Sequence, residues 1–326
     1  MDCSTEDEKN AGYMLLVKVY CSYGALFAKM KITTAWKGDY MREISVELIA
    51  ERVAQLCQEA NFDLPPDVLD ALKKAKDREE SPQGKRILGE ICENAGIAEE
   101  ERVPLCQDTG MVLVFVEIGQ EVHVTGGSLT EAINTGVARG YMDGYLRKSV
   151  VSDPLNRRNT GDNTPAVIYY DVVPGETFRI TVMPKGFGSE NCTALGMLKP
   201  ADGLDGVKRF VVDAVDKAGP NPCPPVTVGV GIGGTADRAL LLAKRALLRD
   251  LGSSHPDSQV AALERELLDK VNNLGYGPGG LGGRVTALAL HIETYPTHIA
   301  GLPVAVCINC HAARHKIWEW RGQEDE

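Results

Sequence analysis

Pro104-Leu-Cys106-Gln-Asp-Thr-Gly110 followed by Met111-Val-Leu-Val-Phe-Val-Glu-Ile118 joins a polar loop to an unbroken apolar run. A short run rich in β-branched residues reads as a strand buried on both faces. A half-exposed strand would alternate, and a helix would be longer. The loop before it sets a thiol, an amide, a carboxylate and a hydroxyl at four successive positions, Cys106 to Thr109. That is polar company for a core residue. Upstream, from Met41 to about Gly96, the pattern is helical. Ile44, Leu48, Ile49, Val53, Leu56 and Cys57 form one stripe, and Val68, Leu69 and Leu72 begin a second helix. Ser81-Pro82 caps a third through Ile87, Leu88 and Ile91.

Downstream the spacing predicts a helix over 129–146, strands over 166–171 and 177–183, and a helix around Val207 to Val215. A strand over 226–230 leads through glycines into a helix over 236–249. A further helix over 260–274 precedes strands over 285–291 and 304–308. Strands and helices mix without a strict βαβ rhythm, so the expected class is α+β (mixed α/β). A helical segment over residues 41–100 would cover a mixed-sheet catalytic region over 101–326, with 41–326 as one domain. Residues 1–40 form an N-terminal extension of unknown role.

The chain has 326 residues and a formal net charge of −10, which argues against nucleic acid as the main partner, since phosphate contacts need a basic face. A small anion can still be held by local cations in a cleft. Nine cysteines without the dense spacing of a secreted scaffold fit a reducing compartment. The stretch from Tyr13 to Met30 is broken by Lys18 and Lys29 and follows an acidic run, so neither an export signal nor a membrane span is expected. The expected location is the cytoplasm.

Two further cysteines share the unusual setting of Cys106. Cys223 stands between prolines in Asn221-Pro-Cys-Pro-Pro225, and Cys310 ends an apolar strand before His311. The three lie 117 and 87 residues apart, so only a tertiary fold could gather them. Three thiolates cannot complete a four-iron cubane, which would leave one iron open as a Lewis acid. Other readings compete. Cys307-Ile-Asn-Cys310-His311 matches a haem-attachment pattern, and with more ligands it could bind zinc. Gly229-Val-Gly231-Ile-Gly-Gly234 superficially matches a dinucleotide fingerprint but lacks the acid on a following strand, so close strand–helix packing or a wall of the active site fits it better. Arg147, His298 and the anion-capable Lys185-Gly-Phe-Gly188 loop each have a structural reading when taken singly.

Taken together, the segments resemble the α subunits of two-subunit class I fumarate hydratases and of L-tartrate dehydratase. The matching stretches are Val103–Gly110, Asn159–Ala166, Pro184–Asn191, Asn221–Pro225, Gly231–Gly234, Gly282–Val285 and Pro296–Pro303 running into Asn309–Ala312. The resemblance implies a hydro-lyase in which Cys106, Cys223 and Cys310 hold a [4Fe–4S] cluster. Gln107, Arg147, Gly188 and His298 would contact a small dicarboxylate substrate, and Asp108 would be the acid/base. Cys192 and Cys307 match no ligand and read as ordinary buried thiols. Phe187 departs from a glycine-rich family loop. The resemblance also implies that a separate β subunit completes the site, in an α2β2 assembly. The expected reaction is reversible hydration of fumarate to L-malate. Dehydration of L-tartrate is the alternative, and a noncatalytic iron–sulfur electron carrier is an alternative of another class.

Overall fold

A computed structural model describes residues 41–322, and the extension over 1–40 lies outside the described residues. After β1 (Arg42–Ser45), Ser45 accepts the amide of Leu48 at 3.2 Å and starts α1 (Val46–Phe62). Proline in the first turn opens α2 (Pro66–Arg78), and the Ser81 cap with Pro82 opens α3 (Pro82–Glu101). The strand β2 (Met111–Gly119) precedes β3 (Val122–Thr125) and α4 (Leu129–Asp143). Next come β4 (Val167–Val173), β5 (Phe178–Lys185), the single turn α5 (Phe187–Glu190) and β6 (Ala194–Leu198). The order closes with α6 (Gly203–Ala218), β7 (Val226–Gly233), α7 (Ala236–Ala246), α8 (Ser258–Asn272), β8 (Ala287–Tyr295), β9 (Leu302–Asn309) and β10 (Lys316–Trp320). No helix among the described residues is long and apolar enough to cross a membrane.

The strands form two four-stranded mixed sheets, β10-β5-β2-β4 and β6-β9-β7-β8, plus the small β1-β3 pair. Burial on both faces explains the unbroken run of β2. Val112, Val114 and Val116 face α1 and α4, whereas Leu113 and Phe115 join Ala239 and Ala243 of α7 and Leu247 just beyond it. The second sheet repeats the device. Ala305 and Cys307 of β9 face the α7 side, and Val304, Val306 and Ile308 face the core with α6 and α8. The result is alternating layers of helix and sheet with α7 in the middle. Helices α1 and α4 approach closely because α4 carries Gly136 and Gly140, where a Cβ would come within 2.6 Å of the Ala50 and Ala54 carbonyl oxygens.

The glycines of β7 have a similar cause. A Cβ on Gly229 or Gly231 would meet the Ala243 or Ala239 carbonyl oxygen of α7 at 2.2 or 2.0 Å. The glycine run is close strand–helix packing. Register then decides where the chemistry can sit. Met111 at the start of β2 pairs with Lys185 at the end of β5, and Thr227 near the start of β7 pairs with Asn309 at the end of β9. The loops before β2 and β7 and after β5 and β9 therefore carry Cys106, Cys223, the 186–188 turn and Cys310.

Candidate three-thiol centre

The Cys106 loop is fixed from all sides by backbone bonds. Leu105 donates its amide to the Asn61 carbonyl at the end of α1, and its own carbonyl accepts from Asn94 of α3. Thr109 donates its hydroxyl to the Arg147 carbonyl at 2.8 Å, while its own carbonyl accepts from the buried Tyr141 hydroxyl. Asn163 donates to the Gly110 carbonyl at 3.1 Å and accepts the Ser149 amide at 2.7 Å. Gly110 has φ 76° and lies so close to Lys185 that a Cβ would come within 2.7 Å of its backbone, so only glycine fits.

Asp108 brackets two loops. Its Oδ1 accepts the Gly110 amide at 3.0 Å, and its Oδ2 accepts the Phe187 amide at 2.8 Å. Its own amide points at the Cys106 sulfur at 3.4 Å, and Gln107 Oε1 accepts from that thiol at 3.4 Å. Gln107 and Arg147 are exposed beside the loop, and Gly188 is exposed one turn along α5. Substituting a Cβ at Gly188 would bring it within 3.6 Å of the Asn221 carbonyl, so this turn also borders the Cys223 loop.

Cys223 adopts φ 56°, a left-handed conformation that costs a non-glycine residue about 1–2 kcal/mol. The surrounding bonds that hold it there are specific. His311 donates its backbone amide to the Cys223 carbonyl at 3.3 Å, and its Nδ1 lies 3.1 Å from the same oxygen. On the other side, the Gly279 amide reaches the Pro224 carbonyl at 2.8 Å. The second and third cysteine loops are thus tied to each other directly.

Cys223 and Cys310 each respond to neighbouring thiols. Burial pushes the Cys223 thiol up, and negative charge at Cys310, Cys106 and Cys192 pushes it further. Burial also raises Cys310, opposed by the Arg314 charge and the Ala312 amide, while Cys106 again raises it and Lys185 lowers it. Mutual repulsion of this kind is relieved by a bound cationic metal group, which takes thiolates and releases protons. A single tetrahedral ion would need its sulfurs within roughly 4 Å of each other. Among the described residues no group of three His, Cys, Asp or Glu side chains is placed to hold one ion. Three free thiols on three loops, loosely convergent and mutually coupled, fit the corners of an iron–sulfur cluster instead.

The remaining cysteines divide. Cys307 is fully buried within the sheet core, with Thr193 as its hydroxyl neighbour, as expected of an ordinary thiol. Cys192 is half-buried, donates toward the Gly188 carbonyl at 3.4 Å and acts electrostatically on Cys223. It is a fourth thiol at the margin of the centre, closer than the sequence suggested.

His298 lies apart from the three cysteine loops within this chain. It lies in the turn between β8 and β9, and that turn is anchored to Gly234 at the far end of β7. Its Nδ1 accepts the Ala300 amide, and its ring is exposed. β9 must run its full length, roughly 25 Å of extended chain, between this turn and Cys310. A strand carries its two ends apart, so β9 separates the His298 turn from the Cys310 loop. The burial of Lys185, named only as part of an anion-capable loop, and the whole of Arg314 escaped sequence reading. Lys185 is 1% exposed, donates to Ser189 at 2.6 Å and lies 3.6 Å from Glu190, which also pairs with Lys244 at 2.6 Å. Arg314 is 3% exposed and reaches the Asp108 carbonyl. The sequence cue for Lys185 was a cation ending an apolar strand; Arg314, in a loop between Ala313 and His315, had none.

Comparison with known proteins places this geometry in context. Residues 50–319 match the family described as fumarate hydratase (Fumerase). The chain is 47% identical over 275 residues to a protein of Methanocaldococcus jannaschii named putative L(+)-tartrate dehydratase subunit alpha, covering 82% of this chain and 96% of that one. It is 36% identical over 280 residues to the L(+)-tartrate dehydratase subunit alpha of an Escherichia coli strain, covering 84% and 91%.

Proposed function

The chain belongs to the fumarate hydratase (Fumerase) family of hydro-lyases, and we propose that it is the α subunit of an iron–sulfur enzyme that reversibly hydrates fumarate to L-malate. The observation that supports this most is the gathering of the Cys106, Cys223 and Cys310 loops at one end of two sheets, with His311 bonded to the Cys223 carbonyl and Arg314 to the Asp108 carbonyl. On this reading these residues would hold a [4Fe–4S] cluster. When bound, it supplies an iron without a protein ligand, acting as a Lewis acid toward the substrate hydroxyl and one carboxylate.

The protein's own groups then have distinct tasks. Asp108 holds or delivers the proton of the departing hydroxyl, its carboxylate aimed by the Gly110 and Phe187 amides. Arg147, whose backbone is tied to Thr109, places a guanidinium on the distal carboxylate of a four-carbon diacid. Gln107 and the Gly188 backbone border the same substrate, and together these contacts restrict it to one orientation. The base for the carbon-bound proton comes from a separate β subunit, in keeping with the "subunit alpha" names of the relatives. We assign an α2β2 assembly in the cytoplasm.

The relatives' names favour a second reading, dehydration of L-tartrate to oxaloacetate. Against it stands the half-exposed Phe187, whose ring offers the additional tartrate hydroxyl no hydrogen bond. Cys192 near Cys223 motivates a third, an electron carrier with four protein ligands. Anaerobic co-production with the β chain, followed by assays on fumarate, L-malate and L-tartrate, separates them. Malate formation from fumarate without tartrate turnover is expected. Tartrate turnover alone overturns the substrate, and a cluster that only cycles between redox states overturns the enzyme.

A further inference from the structure

Arg314 lies on the loop between β9 and β10, a single helical turn's worth of chain beyond Cys310. Its Nη2 donates to the Asp108 carbonyl, on the loop that carries Cys106. Its Nε and Nη1 are buried and have no hydrogen-bond partner among the described residues. A guanidinium is always charged, and leaving it buried without an anion costs several kcal/mol. The Asp108 carboxylate does not serve as that anion, because both of its oxygens are turned to the Gly110 and Phe187 amides. Around Arg314 the titratable neighbours are Cys310, Tyr141 and His311. Tyr141 keeps its proton deep in the core and donates to Thr109, and His311 carries no negative charge. The loop that carries Arg314 also carries Cys310, so an anionic group held by that cysteine would lie beside the unpartnered donors.

We propose that Arg314 is a positioning residue of the three-thiol centre: it pins the Cys106 loop to the Cys310 loop and offers its two unpartnered donors and its charge to the anionic sulfur held there. This rests on the reading that Cys106, Cys223 and Cys310 hold an iron–sulfur group. Three thiolates leave such a group net negative, so a fixed neighbouring cation favours both its retention and its reduction. The planar fork matters as well as the charge. One edge serves the Asp108 carbonyl while the others stay available, a division a lysine ammonium cannot reproduce in the same directions.

The test uses the full chain, reconstituted anaerobically with ferrous iron and sulfide, as wild type, Arg314→Met, Arg314→Gln and Arg314→Lys. Three readouts are taken: iron per chain, the rate of iron loss to a ferrous chelator, and the midpoint potential. Arg314→Met and Arg314→Gln are expected to lose iron at least tenfold faster than wild type and to shift the potential downward. Arg314→Lys restores the potential and part of the retention. A neutral variant that holds iron as long as wild type at an unchanged potential overturns the proposal. So does a lysine variant no better than methionine. If Arg314→Met does not fold, Arg314→Gln and Arg314→Lys decide by the same criteria. Wild type that takes up no iron instead overturns the underlying reading of the cysteines.

Discussion

Replacing Asp108 by asparagine separates two roles that the structure superimposes. The carboxylate accepts the Gly110 amide at 3.0 Å on one oxygen and the Phe187 amide at 2.8 Å on the other. Asparagine keeps one acceptor and turns an NH2 toward the second amide, so one charge-assisted bond is lost, about 1.5–3 kcal/mol. At roughly tenfold per 1.4 kcal/mol, the bracket between the Cys106 loop and the 186–188 turn would open about 10- to 150-fold more often. Loss of a proton carrier costs about 100- to 10,000-fold in addition. If Asp108 both brackets and transfers a proton, kcat in the reconstituted α–β enzyme falls by more than about 1,000-fold. Iron content and the cluster absorbance should persist, since all three thiols remain. Asp108→Ala removes both bonds and the proton carrier together, so it should be at least as impaired as Asp108→Asn. An Asp108→Asn enzyme with kcat within tenfold of wild type would refute the proton role and leave only the bracket.

The other predictions concern the thiols and a buried carboxylate. Serine at Cys106, Cys223 or Cys310 should abolish iron uptake and turnover, whereas Cys192→Ser and Cys307→Ser should keep both; iron analysis of the five variants checks this. Cys192 is the sharper control because it donates to the Gly188 carbonyl, on the turn that borders the Cys223 loop. Damage there equal to that at Cys223 would mean a fourth ligand and no open iron. Glu79 is 1% exposed and accepts the amides of Glu80, Ser81, Arg284 and Val285, stapling α2 and α3 to the segment before β8. Burial pushes its carboxyl up, but the bonds from Arg284, Ser81, Val285 and Glu80 outweigh this and hold it below the ordinary carboxylate range. A lowered folded value means the stabilisation is complete above the unfolded pKa of about 4.3 and is lost as pH falls through the folded value. Glu79→Gln should therefore cost about 2–4 kcal/mol at pH 7, read from urea midpoints, with a smaller difference from wild type near pH 3. A difference that does not shrink with acid would contradict the assignment.

Much of the scaffold was legible because its local rules agree with its packing. Ser81 and Ser128 accept first-turn amides where helices were expected to begin, and β2 reads as a doubly buried strand because it is one; the first helix starts only after Ser45, with Ile44 in β1 rather than on its stripe. Four short strands escaped. β1 and β3 pair only with each other, and β6 and β10 are sheet edges, so half or more of their residues need no apolar side chain. In β6 the pattern is weakened again by Gly196, which makes room for the Phe210 ring.

The centre was legible in its chemistry and not in its geometry. Proline-flanked Cys223 and the polar neighbours of Cys106 mark unusual thiols, but no local pattern states that they meet. What brings them together is register: β7 and β9 are antiparallel, so the residue before one and the residue after the other share an edge. The same register carries His298 to the opposite end, although fewer residues separate it from Cys310 than separate any two of the three thiols. Sequence distance is therefore the wrong measure for this centre, and strand direction is the right one. Arg314 shows why composition alone also falls short. Its charge is ordinary on a surface, and only burial between two cysteine loops, with donors left over, turns it from a solvated side chain into a counter-charge for thiolate.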